Sequence, residues 1–211
     1  VLCEKPLATS SADVERMLDA AERGGARLMA AHCLRFSPNI AMVRRLVHAG
    51  VVGDVESISG AIGGVYATGP QRTDFRKTRG LSGGGVLIDL GIHLIDLALW
   101  ISDARPIDLE YQATSIPGWE VESDVELSLA LSDDRRASIA ASFSRPMDPG
   151  LRVDGSAGWI QTSLYTPTAL SFFGKSVRAC QRDGCQQMIL DNTSMYDAQI
   201  DHFCDAIAAR T

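Results

Sequence analysis

The sequence has no excess of basic charge: 20 Lys and Arg stand against 26 Asp and Glu, for a net charge of -6. It therefore lacks the cationic stripe that neutralises a phosphate backbone, and nucleic acid is not expected as a partner. It has no uninterrupted apolar run of about eighteen residues. The longest apolar stretch, 86–101, is broken by Asp89, His93 and Asp96, so no membrane span is expected. The first residues lack a basic segment followed by a long apolar core, so nothing reads as a signal peptide. There is no Met at position 1, which reads as a start inside a longer protein. The five cysteines are odd in number and form no regular framework, which fits reduced thiols in a cytoplasm. Cys180 and Cys185 are the one close pair. A tight turn at Asp183-Gly184 would set Gln181 opposite Gln186 and leave the cysteines out of register, so neither a disulfide nor a metal is expected there. What is present is ordinary for a folded chain: 45% hydrophobic, 22% charged, 211 residues, enough for one large domain or one domain plus a piece of another.

Residues 1–3 are apolar and short, like the end of a buried strand. Ser10 then caps an amphipathic helix carrying Val14, Met17, Leu18 and Ala21, which Gly24-Gly25 ends, and 26–31 reads as a second apolar strand. Strand, helix, strand is a βαβ unit, normally part of a parallel sheet. Pro38 opens a helix reaching His48, and 55–66 reads as a strand entering a second domain. Residues 67–84 form a long loop rich in Gly, Arg and Thr, of a length that is usually functional. The stretch 86–101 reads as a buried helix. After Pro106, strand-length pieces at 108–115, 124–131, 137–144, 151–153, 159–165, 169–173, 177–180 and 186–190 follow one another through turn signals, which favours a largely antiparallel sheet. A closing amphipathic helix covers 195–209.

Two constellations can carry chemistry. Glu4-Lys5-Pro6 follows a buried strand, and the carboxyl end of a parallel strand faces the crevice where open α/β sheets bind ligands. A cationic donor there can polarise a substrate oxygen or hold a nicotinamide; the plainer alternative is a surface Lys before a turn. The second is Gly83-Gly84-Gly85 leading into Asp89, Gly91, His93 and Asp96. A helical spacing of four places Asp89 and His93 on one face. Burying both among Leu and Ile is costly unless they are satisfied or line a cavity. His93 suits the group that takes a hydroxyl proton, and Asp89 can orient the ring or touch the substrate. A satisfied core His with a helix-capping Asp is the alternative. The glycines lack the ending of a phosphate loop and fit a close backbone approach instead. His32, His48 and His202 have no partner in sequence and read as structural or exposed.

Taken in order, Glu4-Lys5-Pro6-Leu7-Ala8, Arg35-Phe36-x-Pro38, Gly50-x-x-Gly53, Gly83-Gly84-Gly85, Asp89-x-Gly91-x-His93-x-x-Asp96, Asp154-Gly155-x-x-Gly158 and Gln199-x-x-His202-Phe203 resemble the Gfo/Idh/MocA oxidoreductases. The resemblance implies an α/β remnant of a Rossmann dinucleotide-binding domain over 1–33. It implies an α+β domain with a large, mostly antiparallel open sheet over 34–211, for substrate binding. Few helices follow 101 to cover such a sheet, so its other face is expected to pack against another copy of the chain, with strands 124–131 and 137–144 as candidates. The resemblance also implies NAD or NADP as cofactor, held in part by Glu4, Lys5 and Pro6, and a cis Lys5–Pro6 bond. Lys5, Asp89 and His93 would be catalytic, with His93 the proton acceptor, and Arg35, Asp74 and Arg76 would lie near a sugar, polyol or cyclitol substrate. Many relatives carry a Trp where this chain has Phe75.

The family's opening strand, Gly-x-Gly-x-x-Gly turn and helix are absent here. Four strand–helix units of about 30 residues would precede the Lys5 strand, so roughly 120 residues are expected to be missing. The chain is also expected to stop short of the family's final helix. Without the glycine turn and helix terminus that bind pyrophosphate, it is not expected to hold NAD tightly by itself. The expected function is NAD(P)-dependent oxidation of a sugar or cyclitol hydroxyl. An NAD-dependent glycosidase on the same scaffold and a non-catalytic binding or assembly subunit are the rivals.

Overall fold

The computed structural model describes residues 1–66, 75–174 and 186–209. The strand expected at 177–180 and the Cys180/Cys185 pair lie outside them.

The chain opens as a small parallel unit. Strand β1 (Leu2–Glu4), helix α1 (Ser11–Arg23) and strand β2 (Met29–Ala31) form a two-stranded sheet in which Glu4 pairs with Ala31. Ser10 caps α1 by accepting from the Asp13 N–H at 3.2 Å. The unit is thinly packed: α1 buries no residue, and Leu18 is 51% exposed. A short 3₁₀ turn (Cys33–Phe36) leads into helix α2 (Pro38–His48), where Pro38 occupies the first turn.

The second sheet holds most of the core. Its strands are β3 (Val55–Gly63), β4 (Pro106–Thr114), β5 (Asp124–Leu131), β6 (Arg136–Ser142) and β7 (Gly150–Gly155), then β8 (Gly158–Ser163), β9 (Ala169–Phe173) and β10 (Gln186–Ile189). The spatial order is β10-β9-β8-β7-β3-β6-β5-β4. Every pairing is antiparallel except β3 with β6, which is parallel. Antiparallel strands need only short turns, which the Ser132-Asp133-Asp134 connection supplies with positive φ at Asp133 and Asp134. The two-residue alternation is clean in β5: Val125, Leu127, Leu129 and Leu131 are buried, and Glu126, Ser128 and Ala130 are exposed.

One face of this sheet is covered by α2 and by helix α4 (Ile92–Ser102). Leu94, Leu97 and Ile101 of α4 are fully buried, each contributing about 1.5–3 kcal/mol of apolar burial. The helical stretch 79–102 is apolar and long enough to cross a membrane by length and composition. Here its second half, α4, is the central core helix of the domain. The opposite face is an open, shallow concavity lined by polar side chains such as Ser59, Glu110, Glu126, Ser138, Arg152 and Gln161. Helix α5 (Met195–Ala208) packs against the turn after β2, with its own Gln199 buried in that contact.

The stretch expected as one regular helix over 86–101 starts differently. A four-residue helix, α3 (Arg79–Ser82), ends at Gly83 with φ of +77°. Leu87–Gly91 is then a π turn, in which the Ile92 N–H donates to Leu87 O five residues back, and α4 follows.

Candidate active site

Register places the first two residues. Glu4 and Ala31 end the paired strands β1 and β2, so Lys5 and His32 emerge side by side at their carboxyl ends. Lys5 is followed by a cis peptide bond to Pro6, and its side chain is only 13% exposed. The ammonium donates to the Asp89 carbonyl oxygen and lies 3.3 Å from Asp89 Oδ1. Arg76 donates from Nε to the other carboxylate oxygen, Oδ2, at 2.8 Å. Asp89 thus stands between two cations. Burial pushes its carboxyl up, but the Arg76 hydrogen bond and the Lys5 charge outweigh burial and hold it below the ordinary 3.8.

His93 lies one turn further along the helix. Its ring is partly buried, and Nδ1 is buried without a hydrogen-bond partner among the described residues. Burial, then the Lys5 charge, then His32 push its pKa from the ordinary 6.5 to about 4; Asp89 and Asp96 pull weakly the other way. His93 is therefore neutral at neutral pH. The π turn changes the spacing that places Asp89 and His93 on one helical face. Asp89 is held by Lys5 and Arg76, and no hydrogen bond from it orients the His93 ring among the described residues.

The glycine entry is shaped by a residue that the motif does not include. Gly85 sits so close to Glu122 that an added Cβ would meet its carbonyl oxygen at 1.9 Å. Glu122 Oε1 accepts from the N–H groups of Gly85 and Leu87 at 3.0 and 3.2 Å, capping the π turn and neutralising its positive end. No local pattern links positions 85 and 122. Pro6, Arg76, Gly84, Gly85, Asp89 and Phe143 line a narrow cleft at this entry. Its lining includes the half-exposed Phe75.

The remaining residues singled out in the sequence divide. Glu4 is exposed at the end of β1. Asp74 lies outside the described residues. Arg35 does not reach Asp89; it donates to both carboxylate oxygens of Asp96, with Nε to Oδ2 at 2.8 Å, and its guanidinium lies 5.5 Å from the Trp100 ring centroid. Asp96 is 10% exposed and also faces His32, whose Nδ1 lies 3.4 Å from Oδ2 but out of line for a hydrogen bond. His32 is thus part-buried rather than exposed. It stands beside Lys5 in the site wall, and its signal in sequence is its place directly after the β2 strand. His48, by contrast, binds the Ile101 carbonyl at 3.2 Å away from this cluster. With its amide oxygen turned toward them, Gln199 accepts from the N–H groups of His32 and Cys33 at 3.3 and 3.2 Å, tying α5 to the strand end that carries His32.

The chain is similar to known proteins in sequence and in fold. The model of the GFO/IDH/MocA C-terminal domain matches residues 40–161, more than half of the chain. A trans-1,2-dihydrobenzene-1,2-diol dehydrogenase of Xenopus laevis is 26% identical over 180 residues, covering 84% of this chain and 53% of that protein. An aldose-aldose oxidoreductase from Caulobacter crescentus, solved with glycerol, superposes with a TM-score of 0.85 at 26% identity, over 99% of this chain and 62% of that one. A levoglucosan dehydrogenase solved with NADH and levoglucosan, at 20% identity, shares the fold with a TM-score of 0.87 over 99% of this chain and 64% of that one. The chain spans about half the length of the curated relatives it matches. On the family match and the shared fold, the chain belongs to the GFO/IDH/MocA oxidoreductase family.

Proposed function

We propose that this chain forms the substrate side of an NAD(P)-dependent oxidoreductase that oxidises a hydroxyl of a sugar, polyol or cyclitol. The observation that carries the reading is the Lys5–Asp89–Arg76 cluster beside a neutral His93, at the carboxyl end of a parallel strand. Family membership and the oxidoreductase names of the relatives support it.

The residues fit the nicotinamide end of a dinucleotide. Lys5 follows β1, where such crevices lie, and Pro6, Gly84 and Asp89 line a narrow cleft beside it. Residues 1–33 are proposed as the cofactor side, with Lys5 and Pro6 touching the nicotinamide and Glu4 at the margin. Bound there, the oxidised nicotinamide supplies the acceptor for the carbinol hydrogen with its two electrons. Lys5 donates a hydrogen bond to the substrate oxygen and stabilises the negative charge that grows there as its proton leaves. Asp89, kept ionised by Lys5 and Arg76, fixes the ammonium in place. His93 is uncharged and so has a free lone pair for the hydroxyl proton. Arg76 is proposed to contact substrate from the loop side. Arg35, tied to Asp96, acts on the site through that carboxylate.

Homo-oligomerisation through the sheet belongs to the same reading. Among the described residues nothing covers the open polar face, and the edge strand β4 exposes Ile107, Leu109 and Tyr111. Sedimentation of the full gene product at micromolar concentration is expected to show a dimer or larger; monomer alone contradicts this part.

The catalytic reading is tested with the full gene product, NAD⁺ or NADP⁺, and a panel of sugars, polyols and cyclitols. Reduced nicotinamide is expected to accumulate with at least one substrate, and to vanish in Lys5→Ala. Substrate turnover without net reduced cofactor would instead mark a cycle that returns its electrons, as in a glycosidase.

A further inference from the structure

We propose that Glu122 is a positioning residue for the reaction: it holds the glycine entry to the central helix so that Asp89 meets Lys5 and Arg76. The role rests on the oxidoreductase reading; the contacts stand without it.

Three consecutive N–H groups lead into the π turn, and one distant residue takes all three. Glu122 Oε1 accepts from Gly85 and Leu87 at 3.0 and 3.2 Å, and the Glu122 carbonyl accepts from Val86 at 2.9 Å. These are the groups that a helical segment leaves without partners at its start. The next link is direct. The Gly85 carbonyl accepts from the Asp89 N–H at 3.2 Å. Asp89 in turn holds Lys5 through its carbonyl and its carboxylate, and Arg76 through its carboxylate. The path from Glu122 to the Lys5 ammonium is therefore unbroken.

The same segment ties the other end of the stretch that joins Arg76 to Asp89. The Glu120 N–H donates to the Lys77 carbonyl at 2.9 Å, one residue after Arg76. Glu120 Oε2 accepts from the Arg79 N–H at 2.9 Å. Residues 120 and 122 thus hold both ends of that stretch. They can do so because the segment is itself anchored. Val121 and Ser123 are each 1% exposed. The Ser123 N–H donates to Thr114 O at 2.8 Å, and the Ser123 carbonyl accepts from the Phe143 N–H at 2.7 Å. The Trp119 ring packs beside Phe143, with centroids 6.0 Å apart. Gly85 completes the fit, since any Cβ there would run into the Glu122 carbonyl.

A cation that stabilises growing charge on a substrate oxygen works only when it is well aligned, and a misplacement of about 1 Å can cost 10²-fold. Lys5 is held by Asp89, and Asp89 by the turn that Glu122 fixes. The Glu122 carboxylate is bound to backbone N–H groups, so it acts through the turn and not on the substrate.

The test is a carboxyl NMR titration of Asp89 in this chain, with no cofactor or substrate. Burial raises the Asp89 carboxyl, but the Arg76 hydrogen bond and the Lys5 charge outweigh it, so the parent titrates below 3.8. In Glu122→Ala the turn loses its acceptor, Asp89 moves off its two cations, and its titration is expected to move up. Glu122→Asp keeps the charge but draws it back from the turn; it is expected to move Asp89 up as well, and it carries the test if Glu122→Ala fails to fold. Glu122→Gln keeps an acceptor oxygen, and Asp89 is expected to stay at or slightly below its parent value. A pure charge effect has the opposite sign, because removing a nearby carboxylate lowers Asp89 in Glu122→Ala and Glu122→Gln alike. That pattern, an equal rise in Glu122→Gln, or no rise in Glu122→Ala and Glu122→Asp, overturns the proposal. A kinetic arm uses the full gene product. Glu122→Ala is expected to lower kcat by about 10–10²-fold with KM little changed, and Glu122→Gln to restore most of it. The expected titrations with full kcat in Glu122→Ala would overturn the positioning role and leave the oxidoreductase reading intact. A parent without any dehydrogenase activity would sink that reading, while the titrations would still decide whether Glu122 sets Asp89.

Discussion

The two sheets of this molecule are built to opposite standards of burial, and both contribute to one site. The eight-stranded sheet carries nearly all of the core, with Leu94, Ile101, Phe143 and Ile160 fully buried around it. The β1–α1–β2 unit buries only Ala31. Yet the small unit presents Lys5 and His32, while the large one presents Asp89, His93 and Asp96 through its central helix. The difference separates two tasks. The large sheet pays for rigidity and fixes the helix that bears Asp89, His93 and Asp96. The small unit is held to it by a few polar ties: Lys5 to Asp89, Arg35 to Asp96, and Gln199 to the strand end. Stability and chemistry should therefore respond differently to substitutions on the two sides.

The largest effect is expected where the two units meet. His93→Ala in the full gene product is expected to lower kcat by about 10²–10⁴-fold, the usual worth of a general base, with cofactor affinity little changed. Steady-state kinetics with a substrate found in the panel reads this directly. Equal loss of cofactor binding would mean that His93 acts by holding the fold. On the large unit, Phe143→Ala is expected to cost about 3–5 kcal/mol in urea unfolding of this chain, since the ring is fully buried against Tyr66 and Trp119. A cost below about 1 kcal/mol would show that the core is less tightly packed than its burial implies.

The pH dependence of stability joins both units. His93 is depressed from 6.5 to about 4 in the folded chain, so between those values the unfolded chain binds the extra proton. Stability is fully present above about pH 6.5 and falls as pH drops toward 4, by up to about 3 kcal/mol. His32, shifted in the same direction, deepens the loss. Asp89 works in a lower window, because its contribution is lost only below the ordinary carboxylate range. Urea unfolding across this range in His93→Gln is expected to show a flatter profile than the parent chain. An identical profile would place the acid sensitivity elsewhere. The smallest effect belongs to the thinly packed unit: Leu18→Ala on α1, 51% exposed, is expected to change the stability of this chain by no more than about 0.5 kcal/mol.

Much of the fold is legible in the sequence because its signals are local. Ser10 caps α1 through the N–H three residues on, and β5 alternates buried and exposed side chains without interruption. The same is true of the two parallel strands and of the glycine entry to the central helix. What escapes is set by partners far along the chain. The π turn depends on Glu122, more than thirty residues from the N–H groups it caps. Arg35 points to the substrate side by motif, but its guanidinium is claimed by Asp96, 61 residues away. His32 has no sequence neighbour that marks it, because its meaning comes from strand register with Lys5 and from a helix that arrives later. A lone polar residue after a short strand looks the same whether it ends in solvent or in a site wall.

The most direct measurement of the central claim follows a single hydrogen. A substrate from the panel is prepared with deuterium on the carbinol carbon and turned over by the full gene product with oxidised cofactor. The account predicts that the deuterium is recovered on the nicotinamide ring of the reduced cofactor, one per oxidised hydroxyl. Recovery of the label in water or in unoxidised product, with no labelled reduced cofactor, would contradict it.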